Sequence, residues 1–249
     1  SDVCSSDLCF VDHVSNCFAL SELLFGFGRG FENFITILLG TGISAGIVIN
    51  GRIYRGANCA SGEFGHIKIE SGGLTCVCGN RGCLEAYASG PALARQGRLA
   101  AAKSKNSMIL SLADSAADNI SAKTLFLAAR EGDGDARRIF KDMGEKLGIG
   151  VSNLINLFNP DCVILGGRIA QSHEFFFPDL MRTVNEQAWH ASVKHIEISR
   201  QENGPVHGAA AIVLQEIYNS GFILNKRDIR PAVSPDMLQA SSRTRLKKR

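Results

Sequence analysis

Residues 62–88 read GEFGHIKIESGGLTCVCGNRGCLEAYA. One imidazole, His66, and three thiols, Cys76, Cys78 and Cys83, fall close together in this stretch. Zn²⁺ favours four borderline or soft ligands in a tetrahedron, and a closed Cys₃His set is a structural site. Gly72, Gly73, Gly79 and Gly82 let a short loop fold back on one ion without Cβ clashes. The competing reading is a set of reduced, buried cysteines packed as small hydrophobes. It fits less well, because these cysteines sit beside Gly, Asn and Arg rather than on an apolar face.

Working outward, the flanking segments alternate between short apolar runs and helical patterns. Val11–Phe25 has apolar residues at helical spacing, and Gly26–Gly30 ends it. Asn33–Leu39 (NFITILL) is a buried strand. Gly40-Thr41-Gly42 is a turn, and Ala45–Asn50 is the next strand, with Asn50-Gly51 a hairpin signal leading into Arg52–Tyr54. His66–Glu70 reads as a short strand entering the cysteine loop. Leu84–Ala102 reads as helix broken near Gly90-Pro91, and Lys103–Ser107 as a polar turn. Ser121 caps a helix to Arg130, and Asp135–Leu157 is a long amphipathic helix stopped by Asn159-Pro160-Asp161. Cys162–Leu165 is a buried strand followed by Gly166-Gly167. Phe175–Trp189 is helical with Pro178 in its first turns, His195–Ser199 is a strand, and Gly208–Tyr218 is an Ala-rich helix. Strands alternating with helices give an α/β class.

Glu63-Phe64-Gly65-His66, followed by Cys76-x-Cys78-Gly79-x-x-Gly82-Cys83-Leu84-Glu85, resembles the signature of the ROK family of repressors, open reading frames and sugar kinases. The resemblance runs from about Val11 to about Gly221. It implies the carboxy-terminal lobe of an actin-like, ribonuclease H-like ATPase fold of the sugar-kinase type, carrying a zinc loop. The amino-terminal lobe, with a first phosphate loop of Asp-x-Gly-Gly-Thr type, is expected upstream. On this reading residues 9–223 form the lobe and 224–249 a basic mobile tail. Residues 1–8 (SDVCSSDL) look like non-native sequencing read-through.

The resemblance also implies roles for residues. Glu63, His66 and Glu85 match sugar contacts; carboxylate oxygens each accept more than one hydrogen bond, which suits hydroxyls. His66 would be shared, one ring nitrogen on zinc and the other toward a hydroxyl. Gly40, Thr41 and Gly42 match the second phosphate loop for ATP, although family kinases often have Gly where this chain has Ser44. Gly166 and Gly167 match a pair that lets adenosine approach; a plain strand-to-helix turn explains them equally well.

The departure lies in Val11–Leu20, VDHVSNCFAL, set against a kinase pattern like V-E-N-D-A-N-A-A-A-L. His13 falls at the Asn position, and Val14 at the Asp that serves as general base in phosphoryl transfer. Valine accepts no proton, so no catalytic residue is assigned. Several family repressors have His at the Asn position but keep the Asp, so Val14 fits neither branch cleanly, and a sequence error is a third explanation. The favoured reading is a sugar-sensing repressor whose helix-turn-helix for DNA lies upstream. The alternative is an ATP-dependent glucokinase or N-acetylhexosamine kinase. The resemblance further implies a homodimer or homotetramer.

Composition narrows the classes. The 249 residues are 45% hydrophobic with a net charge of +3, which does not by itself indicate nucleic acid. Much of the basic excess is in Arg243, Arg245, Lys247, Lys248 and Arg249. No apolar run nears the roughly 20 residues of a membrane span, and no signal peptide is evident. Three of the eight cysteines belong to the metal motif and the rest are scattered, which suits a reducing cytoplasm.

Overall fold

The computed structural model describes residues 11–103, 107–189 and 195–219. The expectations for residues 1–8 and for the tail at 224–249 lie outside these, as does most of the polar turn at Lys103–Ser107. Its centre is β1 (Phe34–Leu39), whose run of FITILL is apolar on both faces because both faces are covered. On one side β1 pairs antiparallel with β2 (Ile43–Ile49), on the other parallel with β4 (Cys162–Gly166). β3 (Arg52–Ile53) and β5 (Ile196–Ile198) complete a mixed five-stranded sheet in the order β3-β2-β1-β4-β5. At the β2–β3 turn Asn50 and Gly51 have φ of 52° and 69°, the left-handed pair that such a hairpin demands.

The two sheet faces carry alternate side chains. Ile35, Ile37, Leu39, Ala45, Ile47, Val163 and Leu165 belong to the main core with α3 (Gly90–Ala101), α5 (Ala122–Arg130), α6 (Gly134–Phe158) and α7 (His173–Gln187). Phe34, Val48, Cys162 and Ile164 face α1 (Val14–Phe25) at Ala19. α1 crosses β2 so closely that a Cβ on Gly46 would stand 2.3 Å from the Ser15 carbonyl oxygen. α8 (Gly204–Asn219) packs on α1 just as closely, with Gly208 against the Cys17 carbonyl. Two short helices, α2 (Glu85–Ala88) and α4 (Met108–Ser111), flank α3.

Helix ends follow local chemistry. Ser121 caps α5 in a reciprocal box with Thr124, and the Asp133 carboxylate accepts the Ala136 N–H at 2.8 Å to start α6. α6 stops where Asn159 turns left-handed, ahead of Pro160. α7 starts two residues earlier than its periodicity suggests, so Pro178 lies inside the helix.

The strand expected at His66–Glu70 does not form. Phe64–His66 is a 3-10 turn, and only Lys68 and Cys83 make an isolated bridge. The alternating Ile67 and Ile69 imitate a strand. The Ile69 and Glu70 amides both go to one carbonyl, that of Gly82, so the chain bends round the cysteines instead of pairing.

Candidate functional site

Backbone hydrogen bonds and glycines shape the cysteine loop. The Cys76 N–H reaches the Asn80 carbonyl at 2.8 Å and the Gly79 N–H reaches the Cys76 carbonyl at 3.0 Å, closing a tight turn. Gly82 has φ of 76°, and a Cβ there would stand 1.8 Å from the Glu70 carbonyl oxygen, so only glycine fits. Ligand atoms of His66, Cys76, Cys78 and Cys83 all lie within 4.8 Å of one another. His66 Nδ1 to Cys76 Sγ is 3.7 Å, and Cys78 Sγ to Cys83 Sγ is 3.7 Å. A tetrahedron with Zn–S bonds of about 2.3 Å has S–S edges of about 3.8 Å. The donor set and its spacing therefore fit a metal ion. The Lys68 ammonium donates to Cys83 Sγ at 2.8 Å. Burial pushes the Cys76 thiol up to about 11, whereas the Asn80 N–H holds Cys78 down to about 6. A metal bound here requires all three as thiolates.

Using Nδ1 toward the cysteines leaves His66 Nε2 facing Glu63, 3.9 Å from its Oε2. The other Glu63 oxygen stands 3.6 Å from His13 Nε2. Glu63 is thus a half-exposed carboxylate between two imidazoles, one belonging to the His/Cys cluster and one from the start of α1. Glu85 is brought to the same region from α2. Its Oε2 accepts the Ile43 N–H at 2.9 Å, and Gly65, between Glu63 and His66, packs against it.

Val14, the first residue of α1, is 47% exposed and offers no polar atom. The nearby acid, Asp12, is fully engaged. Its Oδ1 accepts from the His13 N–H and from Asn16 Nδ2, both at 2.7 Å; its Oδ2 accepts two bonds from Arg55, at 2.7 and 3.0 Å. Burial raises its pKa, but the hydrogen bonds from Asn16, Arg55 and the His13 amide outweigh that and leave it below the ordinary value. A carboxylate so stabilised is a poor proton acceptor.

Gly40, Thr41 and Gly42 form the β1–β2 turn, closed by the Gly40 N–H to the Gly42 carbonyl at 3.0 Å. Gly40, Thr41, Gly90, Ser121, Lys123 and Gly167 are among the residues lining a cleft of about 1010 Å³. Gly167 has φ of 90°, and its α-carbon lies against the Leu39 carbonyl, where a Cβ would meet oxygen at 2.3 Å. Gly166 is not on the cleft; it makes room for the Phe18 ring beneath β4. The sequence reading missed Asp12, Arg55 and Lys68. Each is an ordinary charge until the fold gives it a partner.

No helix among the described residues is long and apolar enough to cross a membrane. The model of the ROK family matches residues 7–216. The chain is 36% identical over 211 residues to the glucokinase of Thermotoga maritima, covering 84% of this chain and 66% of that one. It is 33% identical over 218 residues to the DNA-binding transcriptional dual regulator NagC of Escherichia coli K12, covering 87% and 52%. A ROK family glucokinase from Streptomyces griseus, solved with glucose and AMPPNP, matches with a TM-score of 0.76 at 32% identity, over 82% of this chain and 68% of that one. The chain thus spans about half to two thirds of the length of the curated relatives it matches. With the signature loop, the sheet order and these likenesses in agreement, the chain belongs to the ROK family and has its actin-like sugar-kinase fold.

Proposed function

We propose that this chain is the sugar-binding lobe of a ROK transcriptional regulator, holding a hexose or N-acetylhexosamine without phosphorylating it. The observation that carries the reading is Val14. The position where resembling kinases keep their general base has an exposed side chain with no proton acceptor, and Asp12 beside it is neutralised by Arg55. Losing a general base costs about 10²–10⁴-fold in rate, enough to leave binding without useful turnover. Glu63, His66 Nε2 and Glu85 supply hydroxyl acceptors, and His13 adds a ring nitrogen beside Glu63. Zn²⁺ in the His66, Cys76, Cys78 and Cys83 cluster would be structural, since four protein ligands leave no open position. It would fix the ring that faces the sugar. DNA contact in this reading belongs to a helix-turn-helix outside the 249 residues, and signalling to it is the role of the lobe. NagC supports this as a relative with DNA-binding function.

The second reading, an ATP-dependent hexose kinase, is favoured by one observation: the Gly40-Thr41-Gly42 turn opens onto a cleft large enough for a nucleotide. The Streptomyces griseus enzyme, solved with AMPPNP, makes this reading concrete. Gly167 and the Thr41 hydroxyl would serve the nucleotide, whereas Gly166 would act only through packing. Hexose-dependent ADP release separates the two. The regulator reading expects none above background. Sustained release that disappears in Gly42→Val establishes the kinase.

A further inference from the structure

His13 is the last residue before α1 and stands where a capping side chain would, yet its ring bonds none of the first-turn amides. The ring turns instead to Ser15, with Nδ1 2.8 Å from the hydroxyl oxygen. Ser15 is fully buried, and its hydroxyl has no other partner among the described residues. The close crossing of α1 over β2, where the Ser15 carbonyl meets Gly46, calls for a small residue here. Alanine would meet that need with better helix propensity. The hydroxyl is therefore the part of Ser15 that packing leaves unexplained.

A buried hydroxyl with an unpaired proton costs free energy. Nδ1 is the acceptor within its reach, so Ser15 donates and Nδ1 carries no proton. In a neutral imidazole the proton then sits on Nε2. The ring is thereby a donor on its open side. Oε1 of Glu63 faces that N–H at 3.6 Å. This is too long for a direct hydrogen bond, and both side chains are partly open to solvent. An oxygen atom about 2.8 Å from each group fits the gap. A hydroxyl satisfies both sides: its oxygen accepts from Nε2–H, and its proton goes to the carboxylate. The opposite tautomer sets two acceptors face to face and leaves that oxygen without a donor.

We propose that Ser15 is a positioning residue for the ligand site. It donates to His13 Nδ1 and holds the ring in its Nε2–H form, so that His13 and Glu63 act as a donor–acceptor pair for one free hydroxyl of the ligand. An ether or carbonyl oxygen at that place lacks the proton Glu63 requires. The ligand part of the inference rests on the hexose reading above; the tautomer does not.

The test combines two measurements on the 249-residue chain. Two-bond ¹H–¹⁵N correlation spectra of histidine-labelled protein are recorded at pH 8, above the ordinary histidine value of about 6.5. The His13 signals are identified by their loss in His13→Asn. The parent should show His13 as the Nε2–H tautomer, and Ser15→Ala should move it toward Nδ1–H, which a purely structural role for Ser15 would not do. Calorimetry with glucose and N-acetylglucosamine should show Ser15→Ala binding about threefold to tenfold more weakly, the worth of one hydrogen bond. If the parent binds neither sugar, the hexose reading fails, and the spectra still decide the role of Ser15. A parent ring in the Nδ1–H form, or a tautomer unchanged in Ser15→Ala, overturns the proposal. So does a changed tautomer with sugar affinity within twofold of the parent.

Discussion

Glu85 joins the two halves of the candidate site, so its removal should have two separable effects. Its Oε2 accepts the N–H of Ile43, a residue only 4% exposed at the start of β2. Glu85→Ala orphans that amide. A hydrogen bond to a charged group contributes about 1.5–3 kcal/mol. The cleft that Glu85 lines admits water to the vacated space, which brings the loss to the lower end of that range or somewhat below it, about 1–2 kcal/mol. For a domain of this size each kcal/mol moves Tm by about 2–4 °C, so Tm should fall by about 2–8 °C. Glu85→Gln keeps an oxygen that can take the same bond and should lose less than about 1 kcal/mol. If Glu85 also meets sugar hydroxyls, both variants should weaken hexose binding, Gln through loss of the charge alone. Circular-dichroism melts with urea titrations measure the first effect, and calorimetry with glucose the second. A Glu85→Ala protein that melts with the parent and binds hexose equally well refutes both parts of the reasoning.

Metal analysis should give about one zinc per chain, and Cys78→Ser should lose both metal and stability because site formation is coupled to folding; full occupancy in a Cys76→Ser/Cys83→Ser double variant sinks the assignment. Asp12 has a depressed folded pKa, so its contribution to stability is present above the ordinary 3.8 and lost as pH falls through the still lower folded value. Asp12→Asn should therefore flatten the loss of stability as pH falls below the ordinary 3.8 in urea titrations, and an unchanged acid slope contradicts the Arg55 account. Gly167→Ala meets both a φ of 90° and the Leu39 carbonyl, and should cost about 2 kcal/mol or more. A variant within 0.5 kcal/mol of the parent, roughly the effect of a neutral surface change, would show that the turn relaxes freely.

What the sequence disclosed and what it withheld follow from the range of the forces involved. The β1–β2 and β2–β3 hairpins, the Ser121 cap and the extent of α6 are set by neighbours in sequence, and all stand out in the residue pattern. The convergence of His66, Cys76, Cys78 and Cys83 is legible because four suitable donors stand at short spacing in a glycine-rich loop. The placement of β4 beside β1 joins residues more than a hundred positions apart, and nothing local encodes it. The false strand at His66–Glu70 shows the converse: alternation of Ile67 and Ile69 with polar residues carries no information about whether a partner strand exists. Gly166 and Gly167 look equivalent in sequence, yet one faces Phe18 and the other the Leu39 carbonyl. Asp12, two residues before Val14, is an ordinary acid in the sequence, and only the fold brings Arg55, from beyond β3, onto it.

The central claim is that the chain binds a hexose and does not turn it over. One calorimetric titration addresses both halves: glucose, and separately N-acetylglucosamine, added to the protein in the presence of ATP and Mg²⁺. The account predicts that one of the sugars gives injection heats that saturate and return to baseline. A steady heat flow proportional to protein concentration, the signature of continuing phosphoryl transfer, would contradict it, as would the absence of saturable heat with either sugar.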